Sequence, residues 1–216
     1  MSNPFVYHFG ATRVDGGKDQ KELLGGKGAN LAEMTRIGIP VPPGFTITTE
    51  VCRHYHRHGT FPEGLREAVE EGLRLLEAET GKRFGSGKDP LLVSVRSGAA
   101  ASMPGMMDTI LNLGLTDEAV EALAEATANA RFAYDSYRRF VQMYGEVVLK
   151  VPVREFERLL EARKAAKGVV EDTGLDAEDL RALVGEFKAL VERSTGERFP
   201  EDPEAQLWGA IEAVFR

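Results

Sequence analysis

The spacing of apolar residues changes character about halfway along the chain. Phe5 to Phe9 and the GFTIT run at 44–48 predict short strands, and LLVSV at 91–95 predicts a third, β-branched, apolar and bounded by Asp89 and Pro90. Between them the period turns helical. Ala29 to Ile37 places Leu31, Met34 and Ile37 on one face, and Leu65 to Leu76 places Leu65, Val69, Leu73 and Leu76 on another. Gly38, Pro40, Pro42, Pro43 and Gly44 break the chain between the first helix and the strand after it. From Thr116 onward the pattern predicts helices over 117–128, 131–149, 153–167, 177–194 and 203–215, with no comparable strand after about residue 114. Thr116, Asp176 and Asp202 fit N-caps, and Pro203 fits a first helical position. The pattern predicts an α+β chain: an α/β or α+β lobe over 1–115, then a helical part over 116–216.

Composition narrows the class of protein without changing this division. The chain has 216 residues, 43% hydrophobic and 28% charged, enough to build a core without disulfide or metal staples. The single Cys52 cannot form an internal disulfide, so a reducing, cytoplasmic setting is expected. No apolar run approaches the roughly 20 residues of a membrane span, and MSNPFVYHFG lacks the basic flank and apolar core of a signal peptide. No membrane partner is expected. The net charge of −7 argues against nucleic acid as a partner. An acidic protein can still hold an anion where a few cations and backbone N–H groups converge.

Two motifs could supply that convergence. In LLGGKGANLAEM, residues 23–34, glycines surround Lys27 just where a helix begins, so backbone donors, the helix dipole and an ammonium share one place. It is not a Walker A loop: Lys21 stands where the first glycine would be, and Gly28 where a Ser or Thr is needed. A glycine-rich turn with a solvated lysine is the competing reading. The second motif is Arg96 at the end of strand LLVSV, followed by SGAAASMPGMMDT. A planar guanidinium at a strand's carboxyl end suits phosphate oxygens. The small residues behind it, with Ser97, Gly98, Gly105, Asp108 and Thr109, could close over a ligand. Met103, Met106 and Met107 read equally as core filler or as an apolar lid. In RFAYDSYRRFVQMYG, 131–145, Phe132, Tyr137, Phe140, Val141 and Tyr144 form an apolar stripe that Arg138 and Arg139 cannot both share, so one must face solvent or an anion. His54, His56 and His58 have helical metal-ligand spacing, but no third ligand follows, and a solvated helix end is the plainer reading.

These blocks together resemble a known family. GGKGANLAEM at 25–34, GFTITTE at 44–50, DPLLVSVRSGAAASMPGMMDTILNLGL at 89–115, RFAYDSYRRFVQMYG at 131–145 and QLWGAIEAVFR at 206–216 are similar to the N-terminal nucleotide-binding domain of pyruvate phosphate dikinase. The resemblance implies an ATP-grasp-like lobe with an inserted all-helical subdomain. It implies an enzyme that converts ATP, phosphate and pyruvate to AMP, pyrophosphate and phosphoenolpyruvate, passing the β-phosphoryl group of ATP to a catalytic histidine on another domain. On that likeness Lys27 and Arg96 contact ATP phosphates, the loop over 102–109 closes on them through Gly105 and Thr109, and Arg139 is a further phosphate-binding candidate. The family's next lobe supplies Mg²⁺-binding carboxylates and much of the adenine pocket, and its histidine domain lies beyond. None of His8, His54, His56 or His58 lies in the acceptor histidine's motif. The resemblance therefore implies a truncated piece, inactive by itself, of an enzyme that is a homodimer when whole. Two alternatives stand beside this: the equivalent piece of a phosphoenolpyruvate synthase-like dikinase, whose loop lacks SMPGMMDT, and a non-catalytic helical interaction module.

Overall fold

The structure is a computed structural model that describes residues 5–98 and 109–216. It is an α+β chain, mostly helical, with two small two-stranded sheets. The elements in order are β1 (Val6–Phe9), α1 (Lys21–Arg36), β2 (Gly44–Ile47), α2 (Thr49–His58), α3 (Leu65–Thr80), β3 (Val93–Arg96), β4 (Thr109–Leu113), α4 (Asp117–Thr127), α5 (Ala130–Val147), α6 (Val153–Lys167), α7 (Ala177–Thr195) and α8 (Pro203–Phe215). Two compact units result. The first takes residues 1–82, 96–107 and 215–216, and the second takes 83–95 and 108–214. Among the described residues no helix is long and apolar enough to cross a membrane.

In the first unit β1 and β2 pair antiparallel, with Val6 opposite Ile47 and Phe9 opposite Gly44. A Cβ on Gly44 would meet the Phe9 ring at 2.4 Å, so the missing side chain is what lets the aromatic ring lie across the neighbouring strand. α1 and α3 pack on this two-stranded sheet, burying Leu24, Ala29 and Ala32 from one helix and Leu65, Val69 and Leu76 from the other. The α3 face is the one its periodicity predicts. The α1 face is not: Met34 is 37% exposed and Ile37 63%, while Gly25, Gly28, Ala29 and Ala32 point inward. Small residues bring α1 close to the sheet, and a Cβ on Gly28 would meet Thr46 at 2.6 Å. Here close backbone approach outweighs the burial of larger side chains.

The second unit holds the helices that the sequence foretells, each within two residues of its expected ends. Thr116 Oγ1 accepts the Ala119 N–H at 3.0 Å as the α4 cap. Asp176 caps α7 in a full capping box with Asp179. The core forms where α5 meets α7 and α6. Tyr137, Phe140 and Tyr144 are buried on α5, and Phe156 of α6 meets Phe187 of α7 with ring centroids 5.0 Å apart. Burial of each such ring stabilises the unit by roughly 1.5–3 kcal/mol. β4 is a strand that the sequence reading had absorbed into the loop before it. It runs for five residues to Leu113, with Asn112 before that end and Gly114 after it both at positive φ (61° and 102°).

Candidate functional site

The GGKG element is two helical segments, not a loop that precedes a helix. Gly25 interrupts α1 at φ 69°, ψ 169°, and a new helical segment starts at Gly26, which puts Lys27 in its first turn. A left-handed φ of this kind strains any residue with a Cβ. Space excludes a side chain as well. A Cβ on Gly25 would lie within van der Waals overlap of the Gly98 carbonyl oxygen, and one on Gly98 would lie 3.8 Å from the Leu24 carbonyl. The backbone two residues before Lys27 is thus packed on the backbone two residues after Arg96. Both segments belong to the first unit.

Lys27 is half-buried and Arg96 exposed. Among the described residues neither has an ion-pair or hydrogen-bond partner, whereas several other cations of the first unit do: Arg36 donates to the Gly16 carbonyl, Arg13 pairs with Asp15 at 2.9 Å and Lys18 with Glu33 at 3.8 Å. Gly26, between Gly25 and Lys27, has no described atom within 4 Å of where its Cβ would stand. The arrangement presents two cations on adjoining backbone segments, one of them in a helical first turn, and such a grouping attracts phosphate oxygens.

The other candidates have different settings. Gly105 and the rest of the segment 99–108, with Met103, Met106, Met107 and Asp108, lie outside the described residues. Thr109 opens β4, half-buried, in the second unit. Arg139 also belongs to that unit, 61% exposed, with Nε donating to Asp135 Oδ2 at 3.0 Å. Of the paired arginines, Arg138 is the inward one. It is 4% exposed, bound to Asp135 and to Asp172 at 3.3 Å, with its Nε unpartnered. Arg131 holds the same loop through the Asp172 carbonyl at 3.0 Å and the Leu175 carbonyl at 2.9 Å. The YRRF block therefore spends much of its charge on tying down the α6–α7 connection.

His8 is buried beside Glu79, Nε2 to Oε2 3.2 Å, and the same carboxylate accepts the Ala11 N–H. That histidine is committed to holding the turn after β1. Among the described residues no group of three or more His, Cys, Asp or Glu side chains could hold a metal ion. The positioning role of Gly25 is the feature that the sequence signalled only in part: a Gly-Gly pair ahead of a lysine marks close approach, but not what approaches.

Comparison with known proteins adds the family. The chain matches the family described as "Pyruvate phosphate dikinase, AMP/ATP-binding domain" over residues 21–71 and 57–155. It is 55% identical over 214 residues to pyruvate, phosphate dikinase of Clostridium symbiosum, covering 98% of this chain and 24% of that protein. It is 54% identical over 212 residues to pyruvate, phosphate dikinase of Rhizobium meliloti (98% and 24%) and 54% identical over 215 residues to pyruvate, phosphate dikinase 2 of Zea mays (99% and 24%). The chain thus spans about a quarter of the length of these relatives.

Proposed function

Because the chain belongs to the pyruvate phosphate dikinase AMP/ATP-binding domain family, we propose that it forms part of a site for the phosphates of ATP. In this reading the site serves transfer of the β-phosphoryl group to a histidine on another domain. The net conversion is that of pyruvate phosphate dikinase, from ATP, phosphate and pyruvate to AMP, pyrophosphate and phosphoenolpyruvate. The observation that carries the reading is the contact of Gly25 with the Gly98 carbonyl, which joins the Lys27 turn to the exit of Arg96.

Phosphoryl transfer asks the protein mainly for positioning and charge neutralisation. Lys27 supplies a compact charge at a helix start, and Arg96 supplies a planar fork from a strand end. On the family likeness Gly105 and Thr109 add donors from the loop over 102–109, and Arg139 is a further phosphate-binding candidate. The functional lobe is then 1–115, an ATP-grasp-like half, with 116–216 as the helical subdomain and return helix. Mg²⁺ enters with ATP, its carboxylate ligands supplied by the family's next lobe. The setting is cytoplasmic, the partner is the histidine domain, and the whole enzyme is a homodimer.

Titration of the isotope-labelled chain with MgATP, followed by amide chemical shifts, tests this. Shifts should concentrate at Gly25–Gly28 and Arg96–Gly98, with weak affinity, and Lys27→Met or Arg96→Met should each weaken binding about tenfold. Unchanged binding in both variants, or shifts confined elsewhere, would overturn the assignment.

A further inference from the structure

Helix α2 carries a pair of imidazoles that the nucleotide reading leaves unused. His54 and His58 stand one turn apart on the same face, with ring centroids 4.5 Å apart and planes tilted by 40°. His54 is half-buried and His58 exposed. Among the described residues neither ring has a hydrogen-bond or ion-pair partner.

The backbone under the pair is fixed. Val51 is fully buried, and Thr49 Oγ1 donates to the Glu22 carbonyl at 2.6 Å. Tyr55 packs on Phe61 with centroids 5.1 Å apart. The helix closes on Gly59 at φ 70°, whose N–H donates to the Tyr55 carbonyl at 2.7 Å, so His58 sits in a capped last turn. The two imidazole rings are therefore held one above the other before any ligand arrives, which lowers the ordering cost of binding. The carbonyl end of the helix favours a cation there. Arg53 donates to Thr49 Oγ1 at 3.0 Å, one turn back towards the N-terminus, which draws its charge away from His58. Arg57 leaves the helix about 100° round from His58.

From this geometry we infer that His54 and His58 form a bidentate site for a divalent transition metal of the zinc, nickel and copper class. Neutral imidazole suits these ions, at roughly 2.0–2.1 Å per nitrogen for zinc. Mg²⁺ prefers a shell of oxygens and is not a ligand for this pair. With no third protein ligand among the described residues, water or an oxygen of another molecule completes the coordination.

Calorimetric titration of the 216-residue chain with ZnCl₂, NiCl₂ and MgCl₂ tests the site, alongside His54→Ala, His58→Ala and His56→Ala. One equivalent of zinc or nickel should bind, and excess Mg²⁺ should not displace it. Affinity should fall at least about tenfold in His54→Ala and in His58→Ala, since a chelate loses its second arm, and should hold in His56→Ala. Zinc should raise the Tm of wild type and of His56→Ala only, while melts without metal confirm that every variant folds. Wild-type affinity in His54→Ala or His58→Ala, or no binding to wild type, would overturn the site. So would loss of binding in His56→Ala, which would put the ion on the Cys52 side of the helix.

Discussion

Gln206 is fully buried, and its amide makes three bonds to backbone. Oε1 accepts the Gly114 N–H at 2.9 Å, and Nε2 donates to the carbonyls of Leu115 at 2.9 Å and Pro200 at 2.8 Å. Gln206→Met keeps the length of the side chain but strands two buried backbone groups and a half-buried one, and should cost about 3 kcal/mol in urea denaturation. Asp176 governs a pH effect instead. The ammonium of Lys167 beside it, with the backbone N–H groups of Asp179 and Glu178, holds its carboxyl down at about 2, against roughly 3.9 in an unfolded chain. A depressed carboxyl stabilises the fold above its unfolded pKa, and that contribution is lost as pH falls through the folded value. The Tm gap between wild type and Asp176→Asn should therefore be widest near neutral pH and close between about pH 4 and pH 2. The cap at Asp176 was legible because an aspartate ahead of a helical pattern has one obvious use. The burial of Gln206 was not, since one glutamine in QLWGAIEAVF reads equally well as the solvent face of α8.

At the scale of elements, α5, α6, α7 and α8 were legible because large apolar residues recur at helical spacing between clear stops. α1 was legible as a helix but not in its orientation. Its buried face is glycine and alanine, and a count of large apolar residues weighs those least. Two substitutions separate the faces. Ile37→Lys should change stability by less than about 0.5 kcal/mol, because that side chain is 63% exposed. Ala32→Leu should cost roughly 1–3 kcal/mol by overpacking, because that site is buried, and chemical denaturation measures both. β4 escaped because five residues of mild alternation, ended by an asparagine at positive φ, carry little signal beside the small-residue stretch that precedes them.

At the scale of the whole molecule, the two compact units are interleaved along the chain, which passes between them after residues 82, 95, 107 and 214. Linear texture hides such a division, because an early segment such as 83–95 groups with helices far along the sequence. The phosphate-binding candidates were legible as motifs, yet the contact of Gly25 with the Gly98 carbonyl, between the segments that carry two of them, leaves no trace in the sequence. The reaction proposed for the family needs an acceptor histidine. His8 is taken up by Glu79, and His54, His56 and His58 crowd one exposed helix end. Incubation of the chain with MgATP should leave no phosphohistidine by mass spectrometry, and label on any of these four would contradict the assignment. The neighbouring glycines 25 and 26 have opposite tolerances. A graft at position 25 would prise apart the turn and the strand exit, whereas Gly26→Cys has room around it. A fluorophore tethered there would report nucleotide arrival from one residue away.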